Sequence, residues 1–491
     1  MIEKIEQIAV TETSHPFATA YEKCRFAEKG YIEEEYFISG KANVYGWDNG
    51  EKTVILPNNP YTNRILVRKP ENREKFSGNV VVEILNSTSF IDFDRCWALT
   101  YRYMMRNGDI YIGITSKPNV IPAMLKVDAE RYAPLNWKNP QKEPQYDLAD
   151  QDLGNMEGAS SPETEDGLFW DMLTDLAELL RKKENPLTGA YVPCYQYLAG
   201  WSQSGAYMIR FINDFAYEKE REIPYFDGYF SAGSASTCMP DLNQGYGRTA
   251  ASSDRRLKRV FQPYMEMHTE SENVLWGNRE ARGTTSFEKE MQYCIYDVPG
   301  ATHDAKSTMI DYYIGDRDVF LSGIIPNYPG REIHPNDFPY EVAFQTALSL
   351  LYSWVREGKR PFQTEPIQTD GNLVNLTDET GNAKGGFRMP FVEVPLCVYH
   401  PVSTPIKPDF AFGCTLFGYV ENYSRERALE LYGSEEGYLQ KFQDSLKDCV
   451  CRGLVLPEDE KFCMEYARKK AAEIFEEQKS QPAERRTVWT I

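Results

Sequence analysis

Histidine is scarce in this 491-residue chain, with only five: His15, His268, His303, His334 and His400. Chemistry that needs an imidazole base therefore has few places to find one. Long apolar runs are missing as well. No window approaches 18 uninterrupted apolar residues, so no transmembrane helix is expected. The opening residues, Met1-Ile-Glu-Lys-Ile-Glu-Gln-Ile8, carry charge throughout and lack the apolar run of a signal peptide. Basic residues are outnumbered, 54 Lys and Arg against 73 Asp and Glu, for a net charge of −19. That argues against nucleic acid or an anionic membrane as partner. The ten cysteines are scattered and form no CxxC pair, and Cys449-Val-Cys451 has no second pair to complete a zinc site. They read as reduced, mostly buried thiols, which favours a cytoplasmic protein. There is no HExxH, Walker A loop or EF-hand loop, so no metal, nucleotide or other cofactor is expected.

What is present is the composition of a globular protein, 42% apolar and 13% aromatic, long enough for a large core. The stretch Tyr195–Arg210 organises it. Its first half reads as a short buried strand. Its second half, continuing through about Tyr217, reads as a helix with Met208, Ile209, Phe211, Ile212 and Phe215 apolar. Between them lies Gly200-Trp-Ser-Gln-Ser-Gly205, a G-x-S-x-G-like turn in the strand–turn–helix setting that gives the motif mechanical meaning. Such a turn is tight, so the residues two before and two after the serine must be small. Gly200 and Ser204 meet that need, and Gly205 adds slack. The turn exposes the Ser202 hydroxyl at the strand end, beside free N–H groups of the helix N-terminus.

Residues 1–75 read as strands and turns, with half-buried alternation at 31–43 and 61–68. Apolar strands follow at 78–85, 109–115, 226–232, 260–268 and 293–298. Helices are expected at about 94–106, 167–183, 341–358, 424–446 and 457–478. The alternation predicts an α/β protein with a mostly parallel, twisted sheet and helices on both faces. Residues 1–75 form an N-terminal strand extension, 76–360 the core, and 361–491 a C-terminal elaboration packed on it. Excursions at 117–162 and 305–340 are expected to roof the pocket.

A serine nucleophile needs a base, and the base needs an orienting acid, in the chain order serine, acid, histidine. His303 fits the base, because it follows the last strand through a flexible Pro299-Gly300 turn. His268 reads as a strand-end residue bonded to backbone, and His334 and His400 as structural. The acid should close the preceding strand, where Glu272 sits at the expected spacing and Glu270 competes with it. One oxyanion donor is the N–H of Gln203. The other should come from Asn86-Ser87-Thr88 after the early strand; Asn86 either donates through its side chain or only caps the turn.

With those residues placed, the chain resembles the α/β-hydrolase domain-containing proteins of bacteria and fungi whose elbow reads G-x-S-Q-S-[A/G]. The likeness extends to Gly30–Asn43, Tyr61–Arg68, Val82–Asn86, Pro299–Asp304, Trp354–Gly358 and Gly381–Pro390, nearly the whole chain. The resemblance implies an α/β-hydrolase fold, a serine triad and hydrolysis of a carboxylic ester, with Ser202 and His303 on matching positions. The family more often has Asp where this chain has Glu272, so Glu270 stays open as the alternative acid. An acyltransferase on the same triad, or a non-catalytic binding protein, are the competing readings. The expected partner is a small-molecule ester.

Overall fold

The computed structural model describes residues 1–17, 24–140, 163–218, 221–234, 241–243, 256–275, 283–313, 316–323, 328–370 and 374–476. Of the excursions expected to roof a pocket, 141–162, 314–315 and 324–327 lie outside the described residues. The chain divides into two compact units. One comprises Met1–Met265, Ser286–Tyr293 and Gly315–Ile325. The other comprises Glu266–Thr285, Cys294–Ile314 and Pro326–Ile491.

The strands of the large sheet are β1 (Ile2–Gln7), β2 (Tyr31–Asp48), β3 (Glu51–Pro70), β4 (Asn79–Ile84), β5 (Ile110–Ile114), β6 (Tyr195–Trp201), β7 (Gly228–Ala232), β8 (Val260–Thr269), β9 (Ser286–Glu288) and β10 (Met291–Val298). Their order is β1-β2-β3-β5-β4-β6-β7-β8-β10-β9. β5, β4, β6 and β7 run parallel. β1, β2 and β3 join antiparallel on one side, as do β9 and β10 on the other. The parallel strands are near-continuous apolar runs because both their faces are covered. Val80, Val81, Val82, Ile84, Ile110, Ile112 and Ile114 are all fully buried.

In the first unit the longer helices that alternate with these strands among the described residues are α1 (Arg95–Asn107), α2 (Phe169–Leu180) and α3 (Gln203–Asp214). α1 stops at Gly108, φ 84°, where an added Cβ would overlap the Lys75 carbonyl. The Trp170 ring of α2 stacks on Tyr207 of α3, centroids 5.3 Å apart, and on Phe215. One expectation fails here: from Asn63 onward β3 is buried on both sides. Arg64 and Arg68, in the stretch expected to be half-buried, are inside because carboxylates meet them there. Arg64 pairs with Glu35 and with Asp92, and Arg68 with Glu33 and Asp94. Arg131 supplies a second cation to Glu35 at 2.6 Å.

The second unit holds α4 (Glu270–Leu275), α5 (Glu341–Glu357), a small antiparallel hairpin of Cys397–His400 with Tyr419–Asn422, and helices at Arg425–Tyr432, Glu435–Cys451 and Glu460–Phe475. Phe391 anchors its core against Phe338, Phe442 and Tyr466. The single helix expected at 424–446 is two. Gly433 takes φ 77°, and the Ser434 hydroxyl accepts from the Gly437 N–H to start the second. No helix among the described residues is long and apolar enough to cross a membrane.

Candidate active site

In the first unit the site is built at the C-terminal ends of β4 and β6. β6 ends at Trp201, and α3 begins at Gln203, so Ser202 alone makes the turn. Its backbone sits at φ 55°, ψ −116°, a region that side chains other than glycine rarely occupy. The Ser202 N–H donates to the Ala232 carbonyl at 2.7 Å, and its carbonyl accepts the first helical bond from Ala206. A Cβ on Gly200 would lie 2.6 Å from the Ser204 carbonyl, so glycine is required there. Gly205 provides no slack: a Cβ would meet Ser234 at 2.5 Å and Ser231 at 2.7 Å. It is the close-packing point of α3.

Asn86, Ser87 and Gln203 form one connected group. The Asn86 amide donates to the Trp201 carbonyl at 2.9 Å, while its Oδ1 accepts from the Thr88 N–H. Asn86 therefore caps the turn and braces the elbow strand, and its backbone N–H is taken by Phe93. The Ser87 hydroxyl donates to Gln203 Oε1 at 3.0 Å. The Ser87 N–H takes no partner among the described residues. Gln203 opens α3, so its N–H points out of the helix N-terminus, where the dipole favours negative charge. Asn119, which the sequence reading missed, donates to the Ser87 carbonyl at 3.1 Å. Nothing in its local pattern marks it.

In the second unit the first turn of α4 holds the loop that carries His303. Glu272 Oε1 lies 2.6 Å from His303 Nδ1. Its other oxygen accepts from the Thr269 N–H and, at 2.7 Å, from the Thr269 hydroxyl. Burial alone would raise the Glu272 pKa. The hydrogen bond and charge of His303, with His268 and Thr269, reverse that and hold it below the usual carboxylate range. The Ser271 hydroxyl accepts from the His303 N–H. Glu270 serves a different purpose. Its carboxylate accepts from Gly300 at 2.7 Å and from Asn375, and burial pushes its pKa up to about 7 against those bonds.

Three consecutive residues of one turn thus each hold the 300–303 loop. Ser271 and the clamping role of Glu270 went unread in the sequence, although Glu-Ser-Glu at a strand end was the available signal. The Pro299-Gly300 turn requires its glycine: Gly300 has φ 84°, and a Cβ would press on the Phe338 ring at 2.8 Å.

The other histidines are engaged elsewhere. His268 Nε2 meets the Glu266 carboxylate at 3.0 Å, not backbone as expected. His400 stacks on Tyr419 and His15 meets Asp318. His334 is exposed, its carbonyl accepting from Val420. No group of three or more His, Cys, Asp or Glu suited to a metal occurs among the described residues.

A family model described as an alpha/beta hydrolase domain matches residues 5–465. The chain belongs to this family. Its large sheet with a parallel centre and a strand–serine–helix elbow is the α/β-hydrolase fold. No curated protein matches the chain by sequence. Among solved structures it is similar to a siderophore hydrolase from Aspergillus nidulans at 13% identity, over 60% of this chain and 95% of that one, TM-score 0.31. It is also similar to fungal esterases from Rhizomucor miehei, at 13% identity over 64% and 93%, TM-score 0.29. A third is an alpha-beta serine hydrolase homologue from Coxiella burnetii, at 8% identity over 54% and 91%, TM-score 0.26.

Proposed function

We propose that this protein is a serine hydrolase that cleaves a carboxylic ester through an acyl-enzyme on Ser202. His303 takes the serine proton as base, and Glu272 orients the imidazole and stabilises the imidazolium that forms. The observation that carries this reading is the 2.6 Å bond from Glu272 to His303 Nδ1, which leaves Nε2 as the ring nitrogen for proton transfer. The strained backbone of Ser202 supports it from the nucleophile's side.

The steps follow from these roles. Ser202 Oγ attacks the ester carbonyl as its proton passes to His303. The carbonyl oxygen becomes an oxyanion, received by the N–H groups of Gln203 and Ser87; one such donor is worth roughly 10²–10³ in rate. The tetrahedral intermediate expels the alcohol, protonated by His303. Water, activated by the same imidazole, then releases the acid. Asn86, fixed to Trp201 and Thr88, shapes the hole.

The test is hydrolysis of p-nitrophenyl esters by single and double variants. Ser202→Ala and His303→Ala should each lose about 10⁴-fold or more in kcat, with the double variant little worse, because the two groups act as a unit. Glu272→Gln should cost less than either. Undiminished hydrolysis by Ser202→Ala would refute the reading.

A further inference from the structure

We propose that Phe90 reads the hydrocarbon arm of the ester, so that the substrate carries an apolar group larger than methyl beside the reacting carbonyl. This rests on the acyl-enzyme reading above.

Phe90 stands at the tip of the loop that follows β4. The base of that loop is closed by two reciprocal backbone bonds between Asn86 and Phe93, at 2.9 and 2.8 Å. Buried charges fix the base from below. Asp92 is held by Arg64 and the Thr115 hydroxyl, and Asp94 by Arg68. Inside the loop the Ser87 carbonyl accepts from Asn119 and, at 3.0 Å, from the Phe90 N–H. The second bond closes a Ser87–Phe90 turn, which brings the Phe90 Cα within about 7 Å of the Cα of Ser87, whose N–H is the oxyanion donor assigned above.

Two features of Phe90 do nothing for the fold. Its backbone sits at φ 62°, a conformation that bulky side chains rarely adopt and that glycine or asparagine would occupy with less strain. The residue is 45% exposed, and its ring meets no other aromatic ring among the described residues. Ile91 and Phe93, in contrast, are buried. A loop anchored this firmly does not need a strained, water-exposed phenyl at its tip to hold its shape. Strain of this kind concentrates where a side chain must be presented to a ligand. The phenyl offers apolar surface and no hydrogen bond, so it favours a hydrocarbon arm over a charged or hydroxylated one. Each methylene buried against it should raise kcat/KM about four-fold.

The arm is either the acyl chain or the alcohol, and two substrate series separate them. One holds p-nitrophenol constant and varies the acid from acetate to butanoate to octanoate. The other holds acetate constant and varies the alcohol from methanol to butanol to octanol. The wild type should show kcat/KM rising with length in one series. Phe90→Gly should lower the octyl-to-shortest ratio in that series about ten-fold, while its melting temperature stays at or above the wild-type value because the strain is relieved. Phe90→Leu, which restores apolar area, should recover most of the ratio. Unchanged length dependence in Phe90→Gly, or a loss of the same size for every ester, would overturn the assignment. Undiminished hydrolysis by Ser202→Ala would instead overturn the reading on which it rests.

Discussion

Ser202 must hold its backbone at φ 55°, ψ −116° if its hydroxyl is to stand clear of the strand end. Such a conformation costs on the order of 1–3 kcal/mol. Alanine keeps the Cβ and the strain, while glycine loses both. We therefore expect Ser202→Gly to be more stable than Ser202→Ala by about 1 kcal/mol, with both inactive. Urea midpoints measure this, and an alanine variant as stable as the glycine one would mean that the turn is relaxed. Glu270 and Glu272 give a second contrast at this scale. They are two residues apart on one helical turn, so their side chains leave in nearly opposite directions. Sequence spacing put both near the base, but only the rotation of α4 decides which meets His303 and which clamps Gly300. Their pH behaviour should differ in sign. Glu272, with its pKa lowered on folding, adds stability above the ordinary carboxylate value, lost as pH falls through the folded one. Glu270, raised to about 7, adds stability below about 4.5 that is lost as pH rises through 7. Glu270→Gln should therefore gain on the wild type by about 1–3 kcal/mol between pH 5 and pH 8, since its amide never ionises. A gap in melting temperature that stays constant with pH would contradict this.

At the scale of elements, the parallel strands were legible because burial on both faces writes continuous apolar runs, as in Val80–Ile84. The elbow was legible because a turn that tight admits only small residues at fixed spacing. What pattern could not show was burial of charge. Arg64 and Arg68 alternate with apolar residues as a solvent face would, and only their meeting with Glu33, Glu35, Asp92 and Asp94 brings them inside. The same blindness hid Asn119 and Ser271, whose roles exist only through residues distant in sequence. The buried pairs tie β2 and β3 to the loop carrying Ser87 and Phe90. Removing one partner of such a pair strands the other's charge, at about 3–5 kcal/mol. Arg68→Met should accordingly lower the unfolding free energy measured by denaturant titration by that amount, and a loss under about 1 kcal/mol would show that its two carboxylates find compensation elsewhere.

For the whole molecule, the family extends over residues 5–465 and fixes the fold, while the fold alone does not set what a hydrolase acts on. The two halves of the proposed chemistry sit far apart in sequence, Ser202 on its elbow and His303 on a loop clamped by α4. The central claim is that they act together on one covalent intermediate. Intact-protein mass spectrometry after treatment with a serine-directed fluorophosphonate tests it most directly. The account predicts a single adduct, mapped to Ser202, forming rapidly in the wild type and at least 100-fold more slowly in His303→Ala, in line with the contribution of a general base. An adduct on another serine that persists in Ser202→Ala, or labelling of Ser202 at the same rate without His303, would contradict it.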